Sequence, residues 1–382
     1  FGGVIALLGA ISYAELGARM PRSGGEYYYL TQIYHPLAGY LSGWISLTVG
    51  FTASIALSAM AMGAYLSEVT GTDARWIALA VIVLVSGIHS FHVEQSSRFQ
   101  NIFTILKLAL MVFLAMACLL RPAAGNGLSW SGPWLSELGT VPYAVALVYV
   151  VYAYSGWNAA AYITGEVRNP ARNLPRALIG GALLVSVLYV LLQMGFLYQA
   201  GREALVGKIE VAQIAAVSVF GASGGQTVSL LIGLLLVSSI SAMVWVGPRV
   251  SRAMAEDYPV WHFLARDNRH GVPVTAIWFQ AAVSIFLLLS GSFEQVLTYS
   301  GFVLHLSTTA AVAGVFFLRR QDKGRRPPYS SPFYPWAQII FLVFSVWMLA
   351  FLLYDKPRES LLGLLNLGIG SISYWWNKNF AL

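Results

Sequence analysis

Long apolar stretches follow one another along this chain and are separated by short loops that carry proline, glycine and charge. About 20 consecutive apolar residues cross a bilayer as one helix, and a window of that length finds eleven such segments in the sequence. The predicted spans are 1–18, 36–66, 75–93, 101–120, 141–164, 176–199, 225–255, 273–290, 294–318, 335–354 and 360–376. The sequence therefore predicts an all-α integral membrane protein, with residues 1–382 forming a single transmembrane domain.

The composition and the absence of known motifs argue against several classes of function. Charged residues make up 10% of the chain, against about 25% in soluble proteins. The net charge of +7 comes from basic residues in short loops, so nucleic acid is not an expected partner. The sequence holds no metalloprotease, P-loop or nucleophile-elbow motif, so we expect neither an enzyme nor a cofactor or metal site. The single cysteine, Cys118, has no partner for a disulfide within the chain.

Lysine and arginine are distributed unevenly between alternate sides of the predicted helices, which indicates orientation. One side carries sixteen of the 23 basic residues and the other carries six. The sixteen are Arg19, Arg22, Arg98, Arg168, Arg172, Arg176, Arg249, Arg252, Arg266, Arg269, Arg319, Arg320, Lys323, Arg325, Arg326 and Lys378. We expect this side and the C-terminus to be cytoplasmic, in a plasma-membrane protein. An odd helix count would then place Phe1 outside with no signal for export, so we interpret at least one upstream helix as missing.

Lys107 is the basic residue that lies inside an apolar run, 101–120. A cation there costs about 2.5–3.5 kcal/mol on insertion scales, so it should face protein or water. Two interpretations stay open: the side chain extends to the cytoplasmic interface, or its ammonium occupies the position of a coupling ion. No buried carboxylate is expected to compete for sodium, because the acids fall in loops or near helix ends, with Glu15 and Glu294 closest to exceptions.

Ser155 and Gly156 interrupt the apolar segment 141–164, and we expect them to lie at mid-membrane. Glycine permits backbone torsions that end a helix, and serine can satisfy a freed backbone group, so the helix could unwind beside a cavity. The half-helix ends would then suit a small zwitterion, with amides facing its carboxylate and carbonyls facing its ammonium. The alternative is that Ser-Gly is a notch for close packing against another helix.

Four stretches of the chain resemble the amino acid–polyamine–organocation transporters, specifically the L-amino-acid transporter branch. They are "ISYAELGARMPRSGGEYYYL" (11–30), "NIFTILKL" (101–108), "YAYSGWNAAAYITGEVRNPARNLPRAL" (152–178) and "VGPRVSRAMAEDYPVWHF" (246–263). The resemblance implies a leucine-transporter-type bundle of twelve helices with inverted repeats, of which eleven are present. Residues 1–120 would be the remainder of the first repeat, 141–320 the second repeat, and 335–376 two additional helices.

The same resemblance assigns substrate-binding residues. They are Tyr152, which closes over the amino acid; Ala153 and Ser155, whose carbonyls receive its ammonium; and Gly156, Trp157 and Asn158, which complete the unwound motif. The family's first helix carries a Gly-Ser-Gly motif that binds the substrate carboxylate, and no equivalent is found. We therefore expect the chain as given to bind substrate weakly. Lys107 matches a lysine that fills the second sodium site of related transporters and links the two broken helices.

These observations predict a sodium-independent transporter of amino acids, neutral L-amino acids favoured, that works by alternating access as an exchanger or a proton symporter. Alternatives are a polyamine or organic-cation carrier on the same fold, and a non-transporting amino acid receptor. In the heteromeric branch of the family, a cysteine in one external loop bridges to a glycoprotein. The corresponding loop, 67–75, has no cysteine, so no disulfide-linked heavy chain is expected.

Three polar positions outside the break are interpreted as mainly structural. The stretch "PRSGGEYYY" (21–29) predicts a packing hairpin, with an inner gate as the alternative. Glu166, close to several arginines, predicts an interfacial ion pair. His305 is expected to form a hydrogen bond with a neighbouring helix.

Overall fold

A computed structural model describes residues 1–91, 97–122, 136, 140–269, 271–321 and 327–380, and every regular element in these ranges is helical. The main helices are α1 (Gly2–Arg19), α2 (Glu26–Ile33), α3 (Pro36–Ile45), α4 (Phe51–Thr70), α5 (Ala74–Phe91), α6 (Ser97–Leu120), α7 (Val141–Ala153), α8 (Ala159–Tyr162), α9 (Pro170–Leu205), α10 (Val211–Asp257), α11 (Val274–Ser290), α12 (Phe293–Gln321), α13 (Trp336–Asp355) and α14 (Pro357–Phe380). A π-helical turn, Ser46–Gly50, joins α3 to α4 in one continuous helix.

Each of the eleven predicted spans overlaps one of these helices or, for 141–164, the pair α7 and α8. Within the described ranges, seven helices are long and apolar enough to cross a membrane, and α11 is a shorter apolar helix. The prediction of an all-α membrane protein is confirmed. Residues 92 and 93 of the third predicted span lie outside the described ranges.

Two helices run past the predicted spans, and a glycine marks the boundary in each case. In α9, Gly201 has φ 71°, two residues after the predicted end at 199. In α10, Gly221 has φ 77°, four residues before the predicted start at 225. A left-handed backbone torsion kinks a helix, and glycine adopts it without steric cost. The kinks therefore separate the apolar spans from short helical extensions.

Some polar residues are buried inside the bundle, and many apolar side chains are exposed on its outer surface. Of the 18 residues in α1, 13 are buried, including Ser12, Tyr13 and Glu15. By contrast, only 17% of the most apolar window of α6 is buried, against 61% for the continuous helix Pro36–Thr70. Side chains such as Ile105 and Phe113 of α6 are exposed. Apolar side chains on the outer surface of a multi-helix protein suit contact with lipid.

Candidate functional site

The segment between α7 and α8 is the break that the Ser-Gly pair predicts. Helix α7 ends at Ala153, residues 154–158 form turns, and α8 begins at Ala159. Gly156 has φ 97°, and a Cβ added to it would meet nothing within 4 Å. Glycine is therefore required here by the backbone torsion and not by a close contact with a neighbouring residue. The predicted break is confirmed, and the packing-notch interpretation is wrong.

A partly open cavity of about 110 Å³, the space that the centre of a water-sized sphere can occupy, lies against this break. Its walls come from α1, the π-helical turn, α4, α7, α8, α10, α12 and α13, together with residues 154–158. Its polar lining residues are Ser46, Ser54, Tyr152, Tyr154, Ser155, Trp157, Asn158, Tyr162, His305 and Thr308. Among the described residues, no Asp, Glu, Lys or Arg lines it. Such a wall suits a ligand with no net charge.

Five of the six predicted binding residues line this cavity: Tyr152, Ser155, Gly156, Trp157 and Asn158. Ala153 does not line it. Its carbonyl oxygen instead accepts a hydrogen bond from the hydroxyl of Tyr189 at 3.1 Å. Because a carbonyl has two lone pairs, this contact leaves one acceptor position on Ala153.

Aromatic contacts and one hydroxyl pair hold the side chains around the break. The Trp157 ring meets the Tyr13 ring edge to face, with centroids 4.8 Å apart. The hydroxyls of Tyr152 and Ser54 are 3.4 Å apart, which ties α7 to α4. Edge-to-face pairs add about 0.5–1.5 kcal/mol beyond area burial. The cavity wall is thus fixed by contacts from α1 and α4.

Glu26 lies behind the cavity wall and is 2% exposed. Its carboxylate accepts hydrogen bonds from the Tyr13 hydroxyl, from Asn158 Nδ2 at 3.1 Å, from Ser307 Oγ at 2.6 Å and from Thr308 Oγ1 at 3.2 Å. The stretch 21–29 therefore does more than form a hairpin, because its glutamate contacts the break directly. The sequence offers one signal for this burial, since three tyrosines follow Glu26 immediately.

Glu15 is a second buried carboxylate, and it is 0% exposed. Arg319 donates to it through Nε at 2.8 Å and Nη2 at 2.7 Å, and Arg19 Nη2 lies 2.7 Å away. The backbone and side chain of Ser331 also donate to it, at 2.8 and 2.6 Å. The expectation of an interior without buried carboxylates was wrong for both Glu15 and Glu26, because tertiary neighbours bury residues that lie near helix ends.

Lys107 lies on α6, half-buried and outside the cavity wall. Its ammonium donates to Ser238 Oγ at 3.0 Å and to Ser239 Oγ at 2.8 Å, both on α10. Met243, four residues beyond Ser239 on the same helix, lines the cavity, so the two sites are about one helical turn apart along α10. Within the described residues, these hydrogen bonds of Lys107 go to α10 and none goes to residues 154–158.

Glu166 and His305 give opposite outcomes. Glu166 forms an ion pair with Arg249 Nη1 at 3.0 Å, so the predicted ion pair is confirmed. His305 was expected to form a hydrogen bond, and this was wrong, since Nε2 is enclosed without a partner among the described residues. Its ring packs 5.8 Å from that of Phe341 and forms part of the cavity wall.

A membrane-spanning helical bundle with a neutral cavity at a broken helix has the architecture of a secondary transporter. The sequence matches the amino acid permease family over residues 1–367, and the chain belongs to that family.

Proteins of similar sequence are also named as amino acid transporters or exchangers. The serine/threonine exchanger SteT of Bacillus subtilis is 28% identical over 356 residues, which cover 91% of this chain and 80% of the relative. The human b(0,+)-type amino acid transporter 1 is 27% identical over 93% of this chain and 74% of its own length. The human cystine/glutamate transporter is 25% identical over 98% and 77% respectively. These relatives are exchangers and transporters, not enzymes.

Proposed function

We propose that this protein is a sodium-independent transporter that carries neutral L-amino acids by alternating access, with the substrate bound at residues 152–158. The observation that carries the proposal is the break in the helix, because it opens onto a cavity whose described lining has no Asp, Glu, Lys or Arg. An unwound segment offers free amides and carbonyls to a zwitterion. A side chain with its own charge would find no counter-ion in this wall.

The lining also favours a small substrate with a single ammonium group over a polyamine. Hydroxyl and amide groups, among them Ser54, Ser155 and Thr308, face the space with aromatic rings. A polyamine carries several ammonium groups, and each would need a carboxylate or several acceptors on leaving water. The relative named as a serine/threonine exchanger supports the same substrate size.

Sodium independence is proposed from the surroundings of Lys107. Two serine hydroxyls hold its ammonium at 2.8 and 3.0 Å, in the manner in which oxygen ligands hold a small cation. A fixed positive charge among these oxygens would repel a sodium ion. In this proposal the lysine takes the place of a coupling cation beside α10, which also forms part of the cavity wall.

Organisation and orientation belong to the same proposal. Residues 1–120 and 141–320 would form the two inverted repeats, followed by 335–376. The C-terminus would be cytoplasmic, in the plasma membrane. Ion pairs of the described residues, such as Arg319–Glu15 and Arg249–Glu166, join groups that the basic-residue count places on one side. The loop 67–75 contains no cysteine, so we expect no disulfide-linked heavy chain.

Uptake into proteoliposomes tests the proposal, using protein expressed from its full reading frame. Vesicles preloaded with unlabelled L-serine should take up labelled L-serine, L-threonine and L-alanine at the same rate in sodium and in choline buffers. Labelled putrescine should not enter. Uptake that requires sodium, or uptake of putrescine alone, would contradict the proposed function.

A further inference from the structure

Glu26 has an unusual set of partners for a buried carboxylate. All four of its hydrogen-bond donors are neutral, and they come from α1, the break and α12. The ionisable side chains that face it are the phenols of Tyr13, Tyr29 and Tyr162. Among the described residues it has no ion-pair partner. The partners of this buried carboxyl group are therefore hydrogen-bond donors and not a cation.

Two of the four donors, Asn158 and Thr308, line the cavity, and Asn158 belongs to the break itself. Asn158 Nδ2 donates to Glu26 Oε1 at 3.1 Å, and Asn158 lines the cavity. Nδ2 is the donor in this bond, so the NH₂ group of Asn158 points towards Glu26. Its Oδ1 atom then lies on the other arm of the planar amide. That oxygen has no donor among the described residues and is not enclosed by protein.

From this geometry we propose that Glu26 is a positioning residue for substrate selection. It fixes the amide of Asn158 so that Oδ1 faces the cavity as an acceptor for the α-ammonium group of the substrate. This inference rests on the proposed function, since it names the substrate group that the break recognises. Hydrogen bonding of the NH₂ group to a carboxylate also polarises the amide, which strengthens Oδ1 as an acceptor.

Loss of the carboxyl group at position 26 should affect an amino acid and its 2-hydroxy-acid analogue differently. In an amino acid the group facing Oδ1 can only donate, whereas the hydroxyl of the matching 2-hydroxy acid can donate or accept. Without the carboxylate at 26, the Asn158 amide is free to turn its NH₂ group to the cavity. The amino acid would then meet a donor, and the hydroxy acid would still find a partner.

The test is Glu26→Gln, with competition by L-serine and by its hydroxy-acid analogue, glycerate, against labelled L-serine uptake. We expect serine to compete about tenfold less well or worse than in wild type, as for one lost charge-assisted hydrogen bond. Glycerate should compete equally well or better. The matched control is Glu166→Gln, which changes an exposed carboxylate eight residues beyond Asn158. It should leave the inhibition constants of serine and of glycerate unchanged.

A merely structural role for Glu26 would weaken both ligands alike, and that result overturns the inference while leaving the proposed function standing. If wild type takes up no amino acid, the proposed function fails, and the inference fails with it. Should Glu26→Gln not fold, Asn158→Ala gives the same readout, because it removes Oδ1. Retained discrimination between serine and glycerate in Asn158→Ala would equally overturn the inference.

Discussion

Glu15 and Glu26 lie eleven positions apart in the sequence, both are buried, and their surroundings differ in one respect. Glu15 is paired with two arginines and with Ser331. Glu26 is held by neutral donors, one of which belongs to the broken helix. Glu15 joins α1 to the end of α12 and to the segment before α13. Glu26 connects α2 and α12 to the cavity wall.

The difference indicates what each carboxylate does. Removing one member of a buried ion pair leaves the other charge uncompensated, so a paired carboxylate mainly stabilises the fold. A carboxyl group with neutral partners leaves no such charge behind when it is replaced. Lys107, held by Ser238 and Ser239, is the cationic counterpart of Glu26. We therefore propose that Glu15 stabilises the bundle, whereas Glu26 and Lys107 serve transport.

The largest effect is expected for Glu15→Gln. The substitution keeps the volume but leaves Arg19 and Arg319 without their shared carboxylate, and breaking such a pair costs about 3–5 kcal/mol. Thermal unfolding in detergent, followed by tryptophan fluorescence, measures the loss. The control is Glu166→Gln, whose exposed pair with Arg249 should contribute about 0–1 kcal/mol. Equal stability of the two variants would remove the basis of the comparison.

The next effect is expected for Lys107→Met, which removes the ammonium but keeps an unbranched apolar side chain. Transport should fall at least about tenfold, equivalent to 1.4 kcal/mol, because the cation site beside α10 is emptied. Thermal stability should stay equal or rise, since a lysine inside a membrane helix costs about 2.5–3.5 kcal/mol on insertion scales. Lys208→Met, at an exposed position, is the control. Full transport by Lys107→Met would show that transport does not require the ammonium group of Lys107.

A smaller effect is expected for Gly156→Ala, which tests the backbone of the break without touching either carboxylate. An alanine at φ 97° costs about 1–2 kcal/mol. We expect serine affinity to fall about five- to thirtyfold. In the matched control, Gly181→Ala, the glycine lies inside α9 with nothing within 4 Å of the added Cβ, so affinity should not change. An equal loss in both variants would show that the torsion at Gly156 is unimportant.

Much of the fold follows from local sequence, because apolar length alone identifies a membrane helix. The break at Ser155-Gly156 was predictable for the same reason, since glycine and serine act on the backbone of their own segment. The hydrogen bonds of Glu26 were not predictable, because they include Ser307 and Thr308, which are 281 and 282 positions away. Similarly, His305 was expected to find a partner in another helix, and only the packed structure shows Phe341 beside it instead.

Protection of a thiol at the break tests the central claim, that the substrate binds against residues 154–158. Cys118 is the chain's single cysteine and is 0% exposed, so Ser155→Cys adds one accessible thiol in the cavity wall. The control, Thr72→Cys, lies in the exposed turn between α4 and α5. Labelling by a methanethiosulfonate reagent should slow as L-serine rises at position 155 and stay constant at position 72. Unchanged labelling at position 155, at serine concentrations that saturate uptake, would contradict the account.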